Sequence, residues 1–303
     1  MQMEIAMKNK KRIVLIGIFV VILILVGIIL YNTNISIYLT QLSPQGTRQM
    51  MGYLLKTSTE KLIVIDGGTT DDTKQLIDKI NKNGSKVDYW FLTHAHDDHV
   101  GAFTQIANNT DIEIENIYVS VNELEWYEQN EPARLEFTKT FLDTLSQEKI
   151  KDKVIEPTLN EKIKIDNIEI EILGIKNPEI TENAGNEQSM VFTINTGKTK
   201  LLFLGDTGVK SSEKLLANQK EKLKSDIVQM SHHGQAGATK ELYKAIQAKI
   251  CLWPTPEWLW NNDIGTGKNS GTWKTLETRS WMQELKFKKH YVAKDGNITI
   301  NIM

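Results

Sequence analysis

Apolar and polar positions divide this chain into one uniform block and a long alternating remainder. No charged residue occurs from Ile13 to Leu30, and Lys8, Lys10, Lys11 and Arg12 stand just before that run. A helix of this length, rising ~1.5 Å per residue, spans close to the ~30 Å hydrocarbon core of a bilayer. The basic flank over residues 1–12 predicts a cytoplasmic N-terminus. It also predicts a single-pass anchor over 13–31 and an extracytoplasmic domain over 32–303. A cleaved signal peptide would carry a shorter apolar region closed by small residues. Ile28-Ile29-Leu30-Tyr31-Asn32 offers no such end.

Beyond the block, short runs rich in β-branched and aromatic residues alternate with amphipathic stretches, which predicts an α/β fold. Strands are expected over 35–42, 51–56, 61–65, 87–92 and 114–119. Hairpins are expected over 163–172, turning at Asp166-Asn167, and over 191–204, turning at Thr196-Gly197. Residues 71–83 read as a helix with Leu76, Ile77 and Ile80 on one side and Gly84 at its end. Helices over 122–128 and 134–148 form an insertion placed to line one wall of a site. Thr239 is the expected cap of a helix over 239–248. Strands over 250–253, 284–292 and 298–302 are expected to complete a second sheet. The whole predicts a four-layer αββα sandwich, with no internal repeat.

Candidate chemistry sits where these elements end. Three of the six histidines fall within Thr93-His94-Ala95-His96-Asp97-Asp98-His99-Val100-Gly101. That stretch follows an apolar strand and precedes a helix, a position from which a rigid scaffold presents functional side chains. Imidazole nitrogen and carboxylate oxygen together suit zinc, manganese or iron. Asp206 follows Leu201-Leu202-Phe203-Leu204-Gly205, where glycine lets the backbone turn; an aspartate there is either a helix cap or a ligand. Ser231-His232-His233-Gly234 ends another short strand. Asp66 ends the strand over 61–65 and is placed to orient a ligand or the loop.

Taken in order, Asp-Gly-Gly, His-x-His-x-Asp-His, Gly-Asp and His-His-Gly resemble the metallo-β-lactamase superfamily, from about Ile35 onward. Within it the chain is similar to the hydrolase domain of DNA-uptake competence proteins and to the phosphorylcholine esterases. The resemblance implies a dinuclear centre with two divalent metal ions, zinc foremost and manganese as the alternative. His94 and His96 would bind the first ion, Asp98 and His99 the second, and Asp206 would bridge them. One ring of the pair His232 and His233 would complete the second site. Asp98 and Asp206 would be catalytic, flanking a hydroxide held between the metals. Asp97 is the variable position of the motif and is given no ligand role. Many members carry a further histidine before the bridging aspartate. Here none occurs between His99 and His232, and Asn186-Glu187-Gln188-Ser189 stands in its place. An open first site and no true β-lactamase activity are therefore expected, with Asn186 and Ser189 near the substrate. His290 is read as structural.

Composition narrows the partners. Outside residues 1–12 the chain holds 32 basic against 37 acidic residues, a net charge of −5. That balance argues against gripping a long nucleic acid along its backbone. Cys251 is the only cysteine, so no internal disulfide is available. Five of the seven tryptophans lie between Trp253 and Trp281; Trp258 and Trp260 are candidates for stacking on substrate. The expected protein is a membrane-anchored extracytoplasmic hydrolase of small phosphoesters or envelope polymers. A carboxylic ester, lactone or amide hydrolase is the second expectation, and a non-catalytic cell-surface binding module the third.

Overall fold

The computed structural model describes residues 7, 12–24 and 36–303. Residues 12–24 are helical, and the large apolar side chains among them are exposed. Among the described residues no helix is long and apolar enough to cross a membrane. The rest of the predicted span, 25–31, and the lysines of its basic flank lie outside the described residues. Ile37–Met303 forms a separate compact unit.

That unit is built on two mixed seven-stranded sheets. The strands are β1 (Tyr38–Gln41), β2 (Gly52–Lys56), β3 (Leu62–Asp66), β4 (Lys86–Leu92), β5 (Glu113–Val119), β6 (Val154–Ile155) and β7 (Lys162–Ile165). They continue as β8 (Ile168–Gly174), β9 (Val191–Asn195), β10 (Lys200–Phe203), β11 (Ile227–Gln229), β12 (Ile250–Trp253), β13 (Lys289–Val292) and β14 (Ile298–Asn301). The first sheet has the order β14-β1-β2-β3-β4-β5-β6 and the second β13-β12-β11-β10-β9-β8-β7. In the first, β3 to β6 run parallel; in the second, β10 to β13 do. The helices that matter here are α1 (Thr73–Lys82), α2 (Asp97–Asn109), α3 (Leu124–Asn130), α4 (Leu135–Leu145), α5 (Val209–Asn218), α6 (Lys240–Ile246) and α7 (Thr275–Glu284).

Aromatic rings fill the space between the sheets. Tyr53 of β2 meets Phe203 of β10 edge-on at 5.2 Å, and Phe91 of β4 meets Phe192 of β9 at 5.2 Å. On its other face the first sheet carries α2, whose Phe103 packs on Trp90 at 5.0 Å and on Phe141 of α4 at 6.0 Å. Leu215 of α5, Leu242 of α6 and Met282 of α7 cover the second sheet over Val228, Cys251 and Val292. Both hairpins form around the expected turns, and the Thr239 side chain caps α6 by accepting from the Leu242 amide.

Two expectations are corrected. Residues 298–302 are not in the second sheet: β14 pairs antiparallel with β1 and closes the first. The stretch 284–292 is not one strand. The helix α7 ends at Glu284, a turn through Lys286 at φ 62° comes next, and β13 begins at Lys289. Met282 and Leu285 bury on the helical side of that break, which local apolar pattern does not distinguish from a strand.

The ring cluster between the sheets predicts a large stability effect. Phe192 is fully buried against Phe91 and Phe203. Phe192→Ala should cost about 3–5 kcal/mol, read as a lowered urea midpoint. A shift within error of zero would show that the sheets do not depend on this contact.

Candidate metal centre

Every cluster residue is delivered by a segment that leaves the C-terminal end of a parallel strand. Asp66 ends β3, Thr93 and His94 follow β4, Asp206 follows β10, and His232 and His233 follow β11. Pro254 follows β12. Carboxyl ends of parallel strands are where α/β sheets place ligand crevices. The two halves are stitched there by the Met190 amide, which donates to the Thr93 carbonyl at 2.8 Å. Gly205 takes φ 54°, and a Cβ on it would fall 2.9 Å from Ser189 Oγ. The expected glycine turn before Asp206 is thus required on both counts.

Asp66 holds the loop from behind. Its carboxylate accepts from the Thr93 amide and hydroxyl, each at 2.8 Å, and from His99 Nδ1 at 2.6 Å. His94 Nδ1 lies 3.1 Å from Thr93 Oγ1 and 3.4 Å from Ser189 Oγ. His233 donates through Nδ1 to the Pro254 carbonyl at 2.9 Å. Each of these three rings is therefore tied through Nδ1 and turns Nε2 inward. His99 Nε2 lies 3.1 Å from Asp206 Oδ1, and His233 Nε2 lies 3.1 Å from Asp98 Oδ2 and 3.5 Å from Asp206 Oδ2.

The charges are unbalanced. Asp66, Asp98 and Asp206 are buried, and their ion-pair partners among the described residues are imidazoles alone. Burial depresses His94 well below the usual imidazole value, and His99 and His96 push the same way. Burial opposes the charged forms of His99 and His233 too, but carboxylates overcome it. Asp206 and Asp66 hold His99 well above its usual value, and Asp206 with Asp98 raises His233 to about 9. Burial likewise works against the Asp98 and Asp206 carboxylates, yet His99 and His233 hold both well below the usual range.

The donor set fits divalent cations. His94 Nε2, His99 Nε2, His233 Nε2, Asp98 Oδ1 and Asp206 Oδ1 are buried without a hydrogen-bond partner, a costly state unless something else binds them. Two groups of ligand atoms each lie within 4.8 Å of one another: His94, His99 and Asp206; and Asp98, His99 and His233. His233, not His232, belongs to the second group. His232 points Nε2 to 4.0 Å from Asp206 Oδ2, and its side chain is 20% exposed. His96 is in neither group; its ring sits 4.5 Å from that of His94, but Nε2 faces Glu131.

The other expected residues have partners of their own. Ser189 Oγ accepts from the Asp206 amide at 2.9 Å, so it braces the centre. Asn186 donates to Asn183 Oδ1, and its own Oδ1 is buried without a partner. Trp258 donates to the Thr47 carbonyl and packs on Trp273, while Trp260 packs on Trp253 and under Arg279. His290 Nδ1 accepts from Trp253 Nε1 at 3.0 Å and joins neither ligand group. Asp97 faces outward between Arg48 and Arg134. Sequence reasoning missed Gln49, which donates to Asp98 Oδ2 at 2.9 Å, and Glu131. Neither carries a local signal beyond lying in the segment before β2 or in the inserted helices.

The sequence model of the metallo-beta-lactamase superfamily matches residues 48–249, a span that includes both ligand groups. No curated protein matches the chain. The metallo-beta-lactamase fold protein YhfI from Bacillus subtilis is similar at 14% identity and TM-score 0.55, over 88% of this chain and 99% of that one. The E377D mutant of the CmlA beta-hydroxylase is similar at 12% identity and TM-score 0.50, over 88% of this chain and 54% of that one. A diphosphatase of the PhnP family reaches TM-score 0.47 at 14% identity, over 88% of this chain and 98% of that one. The first two likenesses, at such identities, speak for the fold alone.

Two outcomes are expected from metal analysis of purified variants. Asp206→Asn should lower the content of both ions, because its carboxylate belongs to the first group and lies 3.5 Å from His233 Nε2 of the second. His290→Ala should leave metal content unchanged. Loss of one equivalent in the His290 variant would make that ring a ligand.

Proposed function

The chain belongs to the metallo-beta-lactamase superfamily, and we propose that it is a dinuclear metal-dependent hydrolase of small phosphoesters. The observation that carries the phosphoester reading lies at the rim. Arg48 and Arg134 flank the single carboxylate of Asp97, next to the ligands Asp98 and His99. Arg134 also lies 3.9 Å from Glu131; the two guanidiniums nonetheless stand where a phosphate would approach, and guanidinium is the side chain best matched to phosphate oxygens. An open cavity of about 660 Å³ adjoins them, lined also by Ala133, Phe137, Glu136 and Thr140. That space suits the leaving group of a small ester.

In this reading His94, His96 and Asp206 would hold one cation, and Asp98, His99 and His233, with Asp206, would hold the other. Bound divalent cations would supply an ionised water at neutral pH and neutralise charge building on the phosphoryl oxygens. The chain's own residues do the positioning. Asp66 fixes His99 and the Thr93 turn, Pro254 fixes His233, and Gln49 fixes Asp98. Arg48 and Arg134 orient the substrate.

The location is part of the proposal. The uncharged run 13–30 behind four basic residues supports a single-pass anchor with the hydrolase domain outside the cell membrane. The net charge of −5 beyond residue 12 favours terminal or small phosphoesters over long nucleic acids. The narrower likeness to DNA-uptake and choline-esterase domains is consistent with either polymer ends or small esters as substrate.

A substrate panel with zinc and with manganese tests the activity. Bis-p-nitrophenyl phosphate and p-nitrophenyl phosphorylcholine should be cleaved, and duplex DNA, lactones and nitrocefin should not. Arg134→Ala should raise KM for the phosphoesters about tenfold, the loss of ~1.4 kcal/mol of binding. Turnover of lactones or nitrocefin without phosphoester cleavage would replace this reading. External protease on intact cells should degrade the domain; protection until permeabilisation would refute the topology.

A further inference from the structure

His96 is tied through the opposite ring nitrogen from its neighbours. His94, His99 and His233 are held at Nδ1, whereas His96 Nε2 lies 2.8 Å from Glu131 Oε1. A neutral imidazole carries one N–H, and the acceptor that takes it decides which nitrogen keeps a lone pair. Glu131 thereby leaves the lone pair of His96 on Nδ1.

The contact is built rather than incidental. Glu131 is the residue between α3 and the Pro132–Arg134 turn, and its amide closes α3 on the Tyr127 carbonyl at 2.8 Å. Proline at the next position fixes the start of that turn. The side chain is 16% exposed, and Oε2 is buried without a partner. Gly185, from the second half of the chain, closes over the pair. A Cβ there would fall 2.2 Å from His96 Nε2 and 2.3 Å from Glu131 Oε2. Only glycine leaves room for the carboxylate and the ring to meet.

We propose that Glu131 is the positioning residue of the first cation site, acting through His96; this rests on the metal-dependent reading above. The inserted helices thus complete the site from outside the motif. With no histidine between His99 and His232, that site has fewer imidazoles to share the work, and the aim of each counts for more. A carboxylate on the far nitrogen also makes the near one a better donor.

The test uses the full chain with zinc alone as probe. Competition against a chromogenic chelator counts the ions and measures their affinities. The wild type should bind two, and E131A should hold one of them about 10–100-fold more weakly with the other unchanged. E131Q should retain most of the affinity, since its amide oxygen still accepts from Nε2–H. A long-range 1H–15N spectrum of zinc-free wild type at alkaline pH reads the tautomer without any variant. His96 should appear as the Nε2–H form. An Nδ1–H form in the wild type, or two zinc ions bound by E131A with wild-type affinity, would overturn the assignment. A wild type that binds no zinc yet keeps His96 as Nε2–H would overturn the metal reading while upholding the Glu131–His96 bond.

Discussion

Three buried carboxylates whose ion-pair partners among the described residues are all imidazoles are the constraint on which the rest of this structure depends. Asp66, Asp98 and Asp206 have lost their water, and no lysine or arginine replaces it among the described residues. Uncompensated buried charge is strongly destabilising unless it is paired or bound to a metal. The fold therefore places all three at one end of its parallel strands, where imidazoles converge on them from both sheets. The same concentration of charge that would weaken a hydrophobic core makes a binding centre there.

Backbone conformation answers that demand. Asp66, His232 and His233 all adopt positive φ, at 51°, 49° and 53°. Residues with a Cβ take this region at a cost, and they persist in it only where their surroundings over-determine them. For Asp66 the determinants are the Thr93 and His99 bonds; for His233 they are the Pro254 carbonyl and the two carboxylates. His232 shares the conformation without a comparable set of partners, and it remains the more exposed ring. Turning two consecutive residues left-handed is what points the second ring inward.

Much of the centre is legible in the residues because its ligands lie within a few positions of strand ends. His94, Asp98, His99 and Asp206 can be placed by locating the apolar runs and reading the polar residues at their C-terminal ends. The His232–His233 choice cannot, because it depends on φ at two neighbouring residues. Glu131 is out of reach for a different reason: it meets His96 across 35 positions, and nothing in Gln129-Asn130-Glu131-Pro132 marks it. The sheet assignment of residues 298–302 fails similarly. Alternation shows that a strand has an inner face, but its neighbour is chosen by long-range pairing, and here that neighbour is β1.

The pairing of β14 with β1 also sets a schedule. Tyr38 lies opposite Asn301, and the Ile302 amide reaches back to the Ile37 carbonyl. Until β14 is available, β1 has an unpaired edge, and exposed edges invite pairing with other chains. Contacts of such sequence separation form late and slowly. The residues that hold the centre are all made well before this strand, yet the sheet that carries Asp66 and the histidine motif is finished by it. Until β14 is made, β1 stands with an open edge, so a vulnerability in synthesis lies far from the chemistry.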